Sequence, residues 1–344
     1  MASRIANDRR IDPRIKAIFG NFPDPPPPQN VASREEMVAQ ENSEAALAAA
    51  ALREAWRPAF EAETNASSAG LTVREEKIAS QPDGNTIAIR FVRPDTAETL
   101  PCVYYIHGGA MAFSSAFDGQ NVAWARIIAA EGVAVAMVDF RNAGRASSCP
   151  EVAPFPAGLN DCVSGLKWLA AHAAELNIDP ARIVVAGESG GGNLTLALGL
   201  KLKRDGDLGL IKGLYALCPY IAGEWPQDRY PSSTKNNGIF LDLHNNRGAM
   251  IYGIAELEAK NPLAWPGFAS VEDVTGLPPT VISVNECDPL RDEGIEFYRL
   301  LMQAGVPARC RQVMGAVRAT ELFSLCCPDI SRDTAADLAN FARR

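Results

Sequence analysis

Short apolar runs alternate along the chain with stretches whose apolar residues recur at helical spacing. Residues 103–106 and 133–138 contain no charged residue, which is typical of strands buried on both faces of a parallel sheet. Between them, Val122, Ala125 and Ile128 fall on one face of a predicted helix. Further strands are predicted at 71–79, 86–93, 183–186, 213–217, 280–284 and 308–313, and further helices at 159–170, 294–303 and 332–342. This order predicts an α/β protein with a mostly parallel sheet covered on both faces.

Three segments lie outside this alternation. Residues 1–32 are charged and then proline-rich, which favours an extended arm. Residues 35–60 are rich in Ala, Glu, Leu and Arg and predict one or two helices. Residues 221–268 separate two predicted strands by far more chain than a tight connection needs, and they carry several aromatic residues. Together with the early helices, this last segment is expected to cap the carboxyl ends of the strands.

Composition narrows the class of protein. The chain has 344 residues, 47% of them hydrophobic, and a formal net charge of -8. This charge argues against a general nucleic-acid binder, which needs clustered Lys and Arg. The first twenty residues carry charges throughout, and no later stretch approaches a membrane span, so we expect a cytoplasmic protein. The eight cysteines show no metal-ligand spacing, and we expect free, mostly buried thiols and no metal or cofactor.

The first candidate for chemistry is a serine between a predicted strand and a predicted helix. Gly187, Glu188, Ser189, Gly190 and Gly191 fit the pattern G-x-S-x-G. In this nucleophile elbow, small neighbours let the chain turn sharply enough to lift one hydroxyl above the sheet. A glycine-rich turn or an anion cradle would give a similar pattern, but the flanking strand and helix favour Ser189 as a nucleophile.

A second glycine-rich loop follows the strand at 103–106. It reads His107-Gly108-Gly109-Ala110. Backbone N–H groups of small residues can approach the oxyanion that acyl transfer generates, so this loop is a candidate oxyanion hole. A simple glycine turn is the alternative. We expect His107 to brace the loop and not to act as a general base.

Four motifs in order give a resemblance to a known family. They are His107-Gly108-Gly109-Ala110, Pro154-Phe155-Pro156-Ala157-Gly158-Leu159-Asn160-Asp161, Gly187-Glu188-Ser189-Gly190-Gly191-Gly192-Asn193 and Asp288-Pro289-Leu290-Arg291-Asp292-Glu293-Gly294. Over residues 70–342 the chain resembles the bacterial hormone-sensitive lipase group of α/β-hydrolases. The resemblance implies a carboxylesterase with an eight-stranded sheet and a helical cap.

The resemblance also implies roles for individual residues. Ser189 matches the nucleophile and Asp288 the acid of the catalytic triad. The oxyanion hole matches the backbone N–H groups of Gly109, Ala110 and Gly190, with Gly108 shaping the loop. Ala110 and Glu188 are mild departures from the family pattern. The implied organisation is a flexible arm at 1–32, a helical cap from 33–69 plus 221–268, and an α/β-hydrolase core from 70–220 plus 269–344.

One departure concerns the chemistry directly. In the family the catalytic histidine follows the last strand, and here residues 314–323 contain no histidine. Arg318 best matches that position. A guanidinium stays protonated and cannot accept the Ser189 proton, and we expect it to form a bidentate ion pair with Asp288.

Other groups are candidates for the missing base. His172 is expected at the surface, His244 lies in the predicted cap, and Glu321 is a possible substitute base. Cys287, beside the acid, is expected to be a buried thiol and not a nucleophile.

Three functions are compatible with this sequence. The first is a carboxylesterase that cleaves small acyl or aryl esters through a Ser189 acyl-enzyme, with impaired or altered catalysis. The second is a degenerate hydrolase that binds a small ligand as a receptor, with Arg318 anchoring a carboxylate. The third is a lyase or cyclase that keeps the oxyanion donors. The expected partner is a small-molecule ester or related apolar ligand, and the sequence leaves a homodimer open.

Overall fold

A computed structural model describes residues 3–344 of the protein. In this part of the chain, eight strands form one sheet in the order β1-β2-β4-β3-β5-β6-β7-β8. The strands are β1 (Leu71–Ala79), β2 (Thr86–Pro94), β3 (Leu100–Ile106), β4 (Ala134–Asp139), β5 (Ile178–Glu188), β6 (Gly213–Leu217), β7 (Thr280–Asn285) and β8 (Ala308–Val313). Strand β2 runs antiparallel to its neighbours β1 and β4, and the other pairs are parallel. The predicted fold class is confirmed.

Fourteen α-helices accompany this sheet in the described residues. They are α1 (Arg4–Asn7), α2 (Pro13–Phe19), α3 (Arg34–Glu41), α4 (Glu44–Glu54), α5 (Arg57–Phe60), α6 (Gly119–Ala130), α7 (Ala157–Ala171), α8 (Gly190–Asp205), α9 (Ser232–Lys235), α10 (Arg247–Tyr252), α11 (Ile254–Glu258), α12 (Val271–Val274), α13 (Arg291–Gln303) and α14 (Pro328–Arg343). Helices α7, α8 and α13 pack on one face, and α6 and α14 pack on the other.

Alternation along each strand supplies both faces with apolar side chains. Tyr104 of β3 faces α7, where its hydroxyl donates a 2.8 Å hydrogen bond to the carbonyl of Cys162. The next residue, Tyr105, faces α6, with its ring centroid 6.4 Å from that of Trp124. All seven residues of β3 and all six of β4 are buried, which explains why these strands read as unbroken apolar runs.

The N-terminal segment differs from the prediction of a flexible arm. Residues 1 and 2 lie outside the described part, but α1 and α2 fold and bury Ile5, Ile11 and Ile15. These side chains pack with Val317 and Cys287 from the far end of the chain. The apolar signal was hidden by intervening charges, several of which pair locally at the surface, such as Arg10 with Asp8 at 2.6 Å. Residues 23–30 are exposed and lack regular structure, as the proline run suggests.

Helix α3 and the segment after β6 meet through polar side chains. Asn246 donates to the carbonyl of Val31 and accepts from the N–H of Val31, both at 2.9 Å. Arg247 donates to the side chain of Gln40 at 2.7 Å. The two sequence-distant segments therefore form one continuous helical layer beside the sheet.

This layer is fixed to the core by a buried carboxylate. Glu293 of α13 accepts hydrogen bonds from the N–H groups of Ile221 and Ala222 at 2.6 and 3.1 Å and from the indole of Trp225 at 2.6 Å. The start of the long segment after β6 is thereby held against α13. Among residues 3–344, no helix has both the length and the apolar character needed to cross a bilayer.

Candidate active site

Ser189 occupies the sharp turn between β5 and α8. Its backbone has φ 55° and ψ -113°, a strained conformation that is typical of a nucleophile elbow. The Ser189 N–H donates to the carbonyl of Leu217 at 2.8 Å, and the Tyr220 N–H donates to the Ser189 carbonyl at 3.1 Å. A Cβ at Gly191 would lie 2.6 Å from the carbonyl oxygen of His107, so the turn requires glycine there. Main-chain contacts on several sides therefore fix the position of the serine.

The loop after β3 approaches this turn closely. Gly109, Ala110 and Met111 all have positive φ, at 96°, 54° and 58°, so the loop curls back over the elbow. A Cβ added to Gly190 would lie 2.5 Å from the Met111 nitrogen and 2.8 Å from the Ala110 nitrogen. The structure thus brings together the predicted oxyanion residues, while their binding of an oxyanion stays a prediction. Gly108 has no room for a side chain because the Glu188 carboxylate lies against it.

His107 is buried beneath the loop. Its Nδ1 lies 2.9 Å from the Gly108 carbonyl, its Nε2 lies 3.5 Å from Asp139, and its ring stacks on Phe140. Although burial opposes ionisation, His107 and hydrogen bonds from Ser148 and the Ala116 N–H hold the pKa of Asp139 well below its ordinary value. The His107 ring makes no hydrogen bond to Ser189, so its geometry fits a bracing role.

Asp288 lies three residues beyond β7 and is fully buried. Its Oδ1 accepts a 2.9 Å hydrogen bond from the Leu290 N–H, and its backbone carbonyl accepts one from Asn236 at 3.0 Å. Within the described residues, Oδ2 has no hydrogen-bond partner. Burial raises the pKa of Asp288 to about 7, against the opposing effects of the Leu290 N–H and Arg318. Asp288 therefore presents one unused acceptor atom.

Arg318 follows β8 and reaches the elbow. Its Nη2 donates a hydrogen bond to the Ser189 hydroxyl oxygen. Although burial opposes its charge, Glu188, the Cys218 thiol and Asp288 raise the pKa of Arg318, so it stays a cation. The predicted bidentate ion pair is wrong, since no carboxylate of residues 3–344 forms an ion pair with Arg318 within 4.0 Å. The guanidinium extends toward Ser189, while the Leu290 N–H fixes the Asp288 carboxylate separately.

The other candidate bases have hydrogen-bond partners of their own. His172 bonds to the Trp168 carbonyl at 2.8 Å and stacks on that indole. His244 is exposed and bonds to the Ser233 carbonyl at 3.0 Å. Glu321 is fully buried and accepts from Asn285 at 3.1 Å. None of these three side chains makes a hydrogen bond to the hydroxyl of Ser189.

A cavity of about 560 Å³ opens beside the elbow. Its wall combines residues of α4 and α5, the glycine-rich loop at 108–110, aromatic side chains such as Phe240 and Phe323, and charged side chains that include Glu188 and Arg318. Ser189 itself is only 1% exposed and does not line the cavity. Arg318 therefore covers the hydroxyl on the cavity side.

Glu188, which the sequence interpretation named only as a mild departure from the family pattern, is also a residue of the site. It lines the cavity, is 5% exposed, and its Oε2 lacks a partner among the described residues. Burial raises the pKa of Glu188, with Arg318 and His107 opposing that effect. Its place directly before the nucleophile was the one available signal.

Comparison with known proteins now assigns the family. A family model described as the alpha/beta hydrolase fold matches residues 103–321, which is more than half of the chain. The chain belongs to the α/β-hydrolase family. It is similar to carboxylesterase NlhH of Mycobacterium tuberculosis, with 30% identity over 78% of this chain and 82% of the relative.

Two solved structures are similar to this α/β-hydrolase over nearly its whole length. Esterase Est22 with p-nitrophenol is 61% identical, with a TM-score of 0.96, over 98% of this chain and 99% of that one. Brefeldin A esterase, a bacterial homologue of human hormone-sensitive lipase, is 34% identical, with a TM-score of 0.85, over 98% and 94% of the two chains. These relatives confirm the predicted hormone-sensitive lipase-like carboxylesterase family and the hydrolase class of the enzyme.

Proposed function

We propose that the protein is a carboxylesterase-type serine hydrolase that acts on small acyl or aryl esters through a Ser189 acyl-enzyme, with catalysis impaired by Arg318. The observation that carries this proposal is the hydrogen bond from the Arg318 guanidinium to the Ser189 hydroxyl oxygen. A histidine at this place would accept the serine proton, whereas arginine can only donate.

The expected turnover rate depends on how much a triad histidine contributes to kcat. Loss of the triad histidine alone costs on the order of 10⁶ in kcat in a serine hydrolase. Binding and oxyanion donors alone still leave roughly 10³ to 10⁴ over water. The buried Asp288 is retained as the candidate acid of a triad, and one of its oxygens has no partner among the described residues. In that part of the chain, no proton carrier stands between this carboxylate and the serine. We therefore infer slow turnover above background in a site whose other parts are retained.

The proposed substrate class follows from the cavity and the relatives. A volume of about 560 Å³ with aromatic side chains in its wall suits a small, compact ester. The p-nitrophenol bound by the similar esterase supports an aryl leaving group for this chain as well.

The test combines a covalent probe with turnover. We expect a fluorophosphonate to label the wild-type protein slowly at Ser189, and p-nitrophenyl acetate to turn over slowly but above the Ser189→Ala control. Labelling would be located by mass spectrometry of the peptide that contains the elbow. If neither labelling nor turnover exceeds the Ser189→Ala background, the proposed function is wrong.

A ligand-binding protein without turnover is the second candidate. It is favoured by one observation, the Arg318 side chain that lines the cavity and keeps a buried Nε without a partner in the described part. A guanidinium in that position could bind a ligand carboxylate bidentately. This candidate predicts that p-nitrobenzoate binds more tightly than p-nitrophenol in calorimetry and that Arg318→Ala removes the difference.

A further inference from the structure

Two consecutive cysteines lie at the start of α14, away from the elbow. The Sγ atoms of Cys326 and Cys327 are 3.6 Å apart, in thiol–thiol hydrogen-bond contact. Cys326 is 8% exposed and Cys327 is fully buried. Neither thiol has a role in the proposed ester chemistry, and neither lines the cavity.

From this geometry we propose that Cys326 and Cys327 form a reversible oxidation site, in which a peroxide converts the thiol pair into a vicinal disulfide. The inference is independent of the proposed esterase function. Redox-active cysteines combine a partly accessible, ionisable thiol with a resolving thiol beside it. Here Cys326 is the more exposed of the two thiols, at 8%, and Cys327 is the adjacent resolving thiol.

The environment favours reaction at Cys326. The hydrogen bond from Cys327 lowers the pKa of Cys326, and the Arg14 guanidinium of α2 adds to this against burial and the carboxylates of Asp12 and Asp329. The α14 N-terminus, whose N-cap residue is Cys327, contributes further positive potential.

The other thiols contrast with Cys326. Burial raises the pKa of the remaining cysteines outside the pair, and the hydrogen bond to Cys326 raises that of Cys327. Among the cysteines of residues 3–344, oxidation is therefore directed to one position.

The chemistry balances with hydrogen peroxide as the oxidant. The Cys326 thiolate attacks one peroxide oxygen, which gives a sulfenic acid and releases hydroxide. The Cys327 sulfur then attacks the sulfenyl sulfur, the S–O bond breaks, and the departing hydroxyl leaves as water with the Cys327 proton. Two thiols are oxidised by two electrons, and the peroxide is reduced to water.

The product should be easily reduced. Consecutive Cα atoms are about 3.8 Å apart, below the roughly 4.4–6.8 Å of ordinary disulfides. A vicinal disulfide is therefore strained, and strained disulfides are the reducible ones.

Formation of the disulfide between Cys326 and Cys327 should alter the wall of the cavity. The N–H groups of Cys326 and Cys327 both donate to the Phe323 carbonyl at 2.8 Å. The Phe323 ring lines the cavity. Its centroid lies 5.4 Å from the ring centroid of Phe19 and 5.7 Å from that of Phe240. A change in the 326–327 backbone therefore acts on the same loop that carries Arg318.

The decisive experiment is mass spectrometry after peroxide treatment. Trypsin releases residues 319–332, cut after Arg318 and Arg332, with both cysteines in one peptide. After hydrogen peroxide and then N-ethylmaleimide, we expect this peptide to have lost two hydrogens and to carry no maleimide. Reduction with dithiothreitol before alkylation should restore two maleimides. Hydrogen exchange should become faster in residues 319–325 of the oxidised protein.

Substituted proteins sharpen this test. In Cys327→Ser, Cys326 should stop at the sulfenic acid and react with dimedone, whereas Cys310→Ser should behave as wild type because Cys310 lies apart on β8. Full alkylation of both thiols after peroxide, or a disulfide from Cys326 to Cys287, would overturn the proposal. Irreversible oxidation to sulfinic acid without a disulfide would overturn it as well.

Discussion

The two halves of the candidate site are held in different ways. The nucleophile half, comprising residues 107–111, Ser189 and Gly190, is fixed by main-chain hydrogen bonds and by glycines that admit no side chain. The acid–base half, comprising Asp288 and Arg318, depends on what two side chains can reach. None of the contacts that fix the first half involves the side chain at position 318, whereas the chemistry of the second depends on that single side chain.

This difference explains how an intact fold would carry the altered reaction that we propose. An oxyanion hole made of backbone N–H groups is part of the chain path, so the fold preserves it. A proton carrier is a side chain, and replacing it leaves the chain path unchanged. Similarity of fold therefore says more about the nucleophile half than about the acid–base half.

Restoring a histidine should produce the largest change. In Arg318→His, the imidazole removes the permanent cation, accepts the Ser189 proton and offers an N–H to the unpartnered Oδ2 of Asp288. We expect kcat for p-nitrophenyl acetate to rise by about 10³ or more, within the roughly 10⁶ that a triad histidine is worth. Absorbance assays of p-nitrophenol release by the purified variant would measure this increase in kcat.

The matched control separates a gained base from a removed cation. Arg318→Gln uncovers Ser189 without supplying a base, so its kcat should stay within about tenfold of wild type, since uncovering alone adds no proton transfer. An equal gain in Arg318→Gln and Arg318→His would contradict the disabled triad and point to the guanidinium as a simple block.

The second prediction concerns the nucleophile half. In Gly190→Ala, the added Cβ would lie 2.5 Å from the Met111 nitrogen and 2.8 Å from the Ala110 nitrogen, and so push the oxyanion loop away. Made in the Arg318→His background, it should lower kcat by about 10² to 10³, which is the usual cost of one lost oxyanion donor. Gly209→Ala, shortly after the end of α8, where an added Cβ meets nothing within 4 Å, is the control for a glycine-to-alanine change. Unchanged kcat in Gly190→Ala would mean that these N–H groups do not stabilise the transition state.

The sequence predicted the fold and the sharp turn at Ser189 well because both depend on local pattern. Unbroken apolar runs identified strands such as β3 and β4, and the glycine spacing around Ser189 identified the elbow. Those signals lie within a few residues of one another, where turn geometry and strand burial restrict the choice of residue.

The acid–base half and the N-terminal helices were harder to predict because they depend on contacts between distant residues. Whether Arg318 pairs with Asp288 or extends to Ser189 is decided by side-chain reach across three loops. Likewise, Ile15 becomes a core residue only because Val317 and Cys287 lie beside it in space. No local periodicity records either fact.

The third prediction tests the electrostatics of Asp288 and has the smallest effect. Its pKa is raised from 3.8 to about 7 by burial, so the folded protein binds a proton that the unfolded chain releases between those values. The contribution of Asp288 to the free energy of unfolding should therefore fall as pH rises from 4 to 7, and Asp288→Asn should remove this contribution. Relative to wild type, the free energy of unfolding of the variant should gain roughly 1–3 kcal/mol between pH 4 and pH 7 in urea titrations.

Asp337 is the control. Against the effect of burial, Arg309 and Tyr215 lower the pKa of Asp337, and Asp337→Asn should show no such gain between pH 4 and pH 7. A constant difference between Asp288→Asn and wild type would show that Asp288 is ionised throughout, held so by the Arg318 charge, and the two residues of the acid–base half would then act as an electrostatic pair without direct contact.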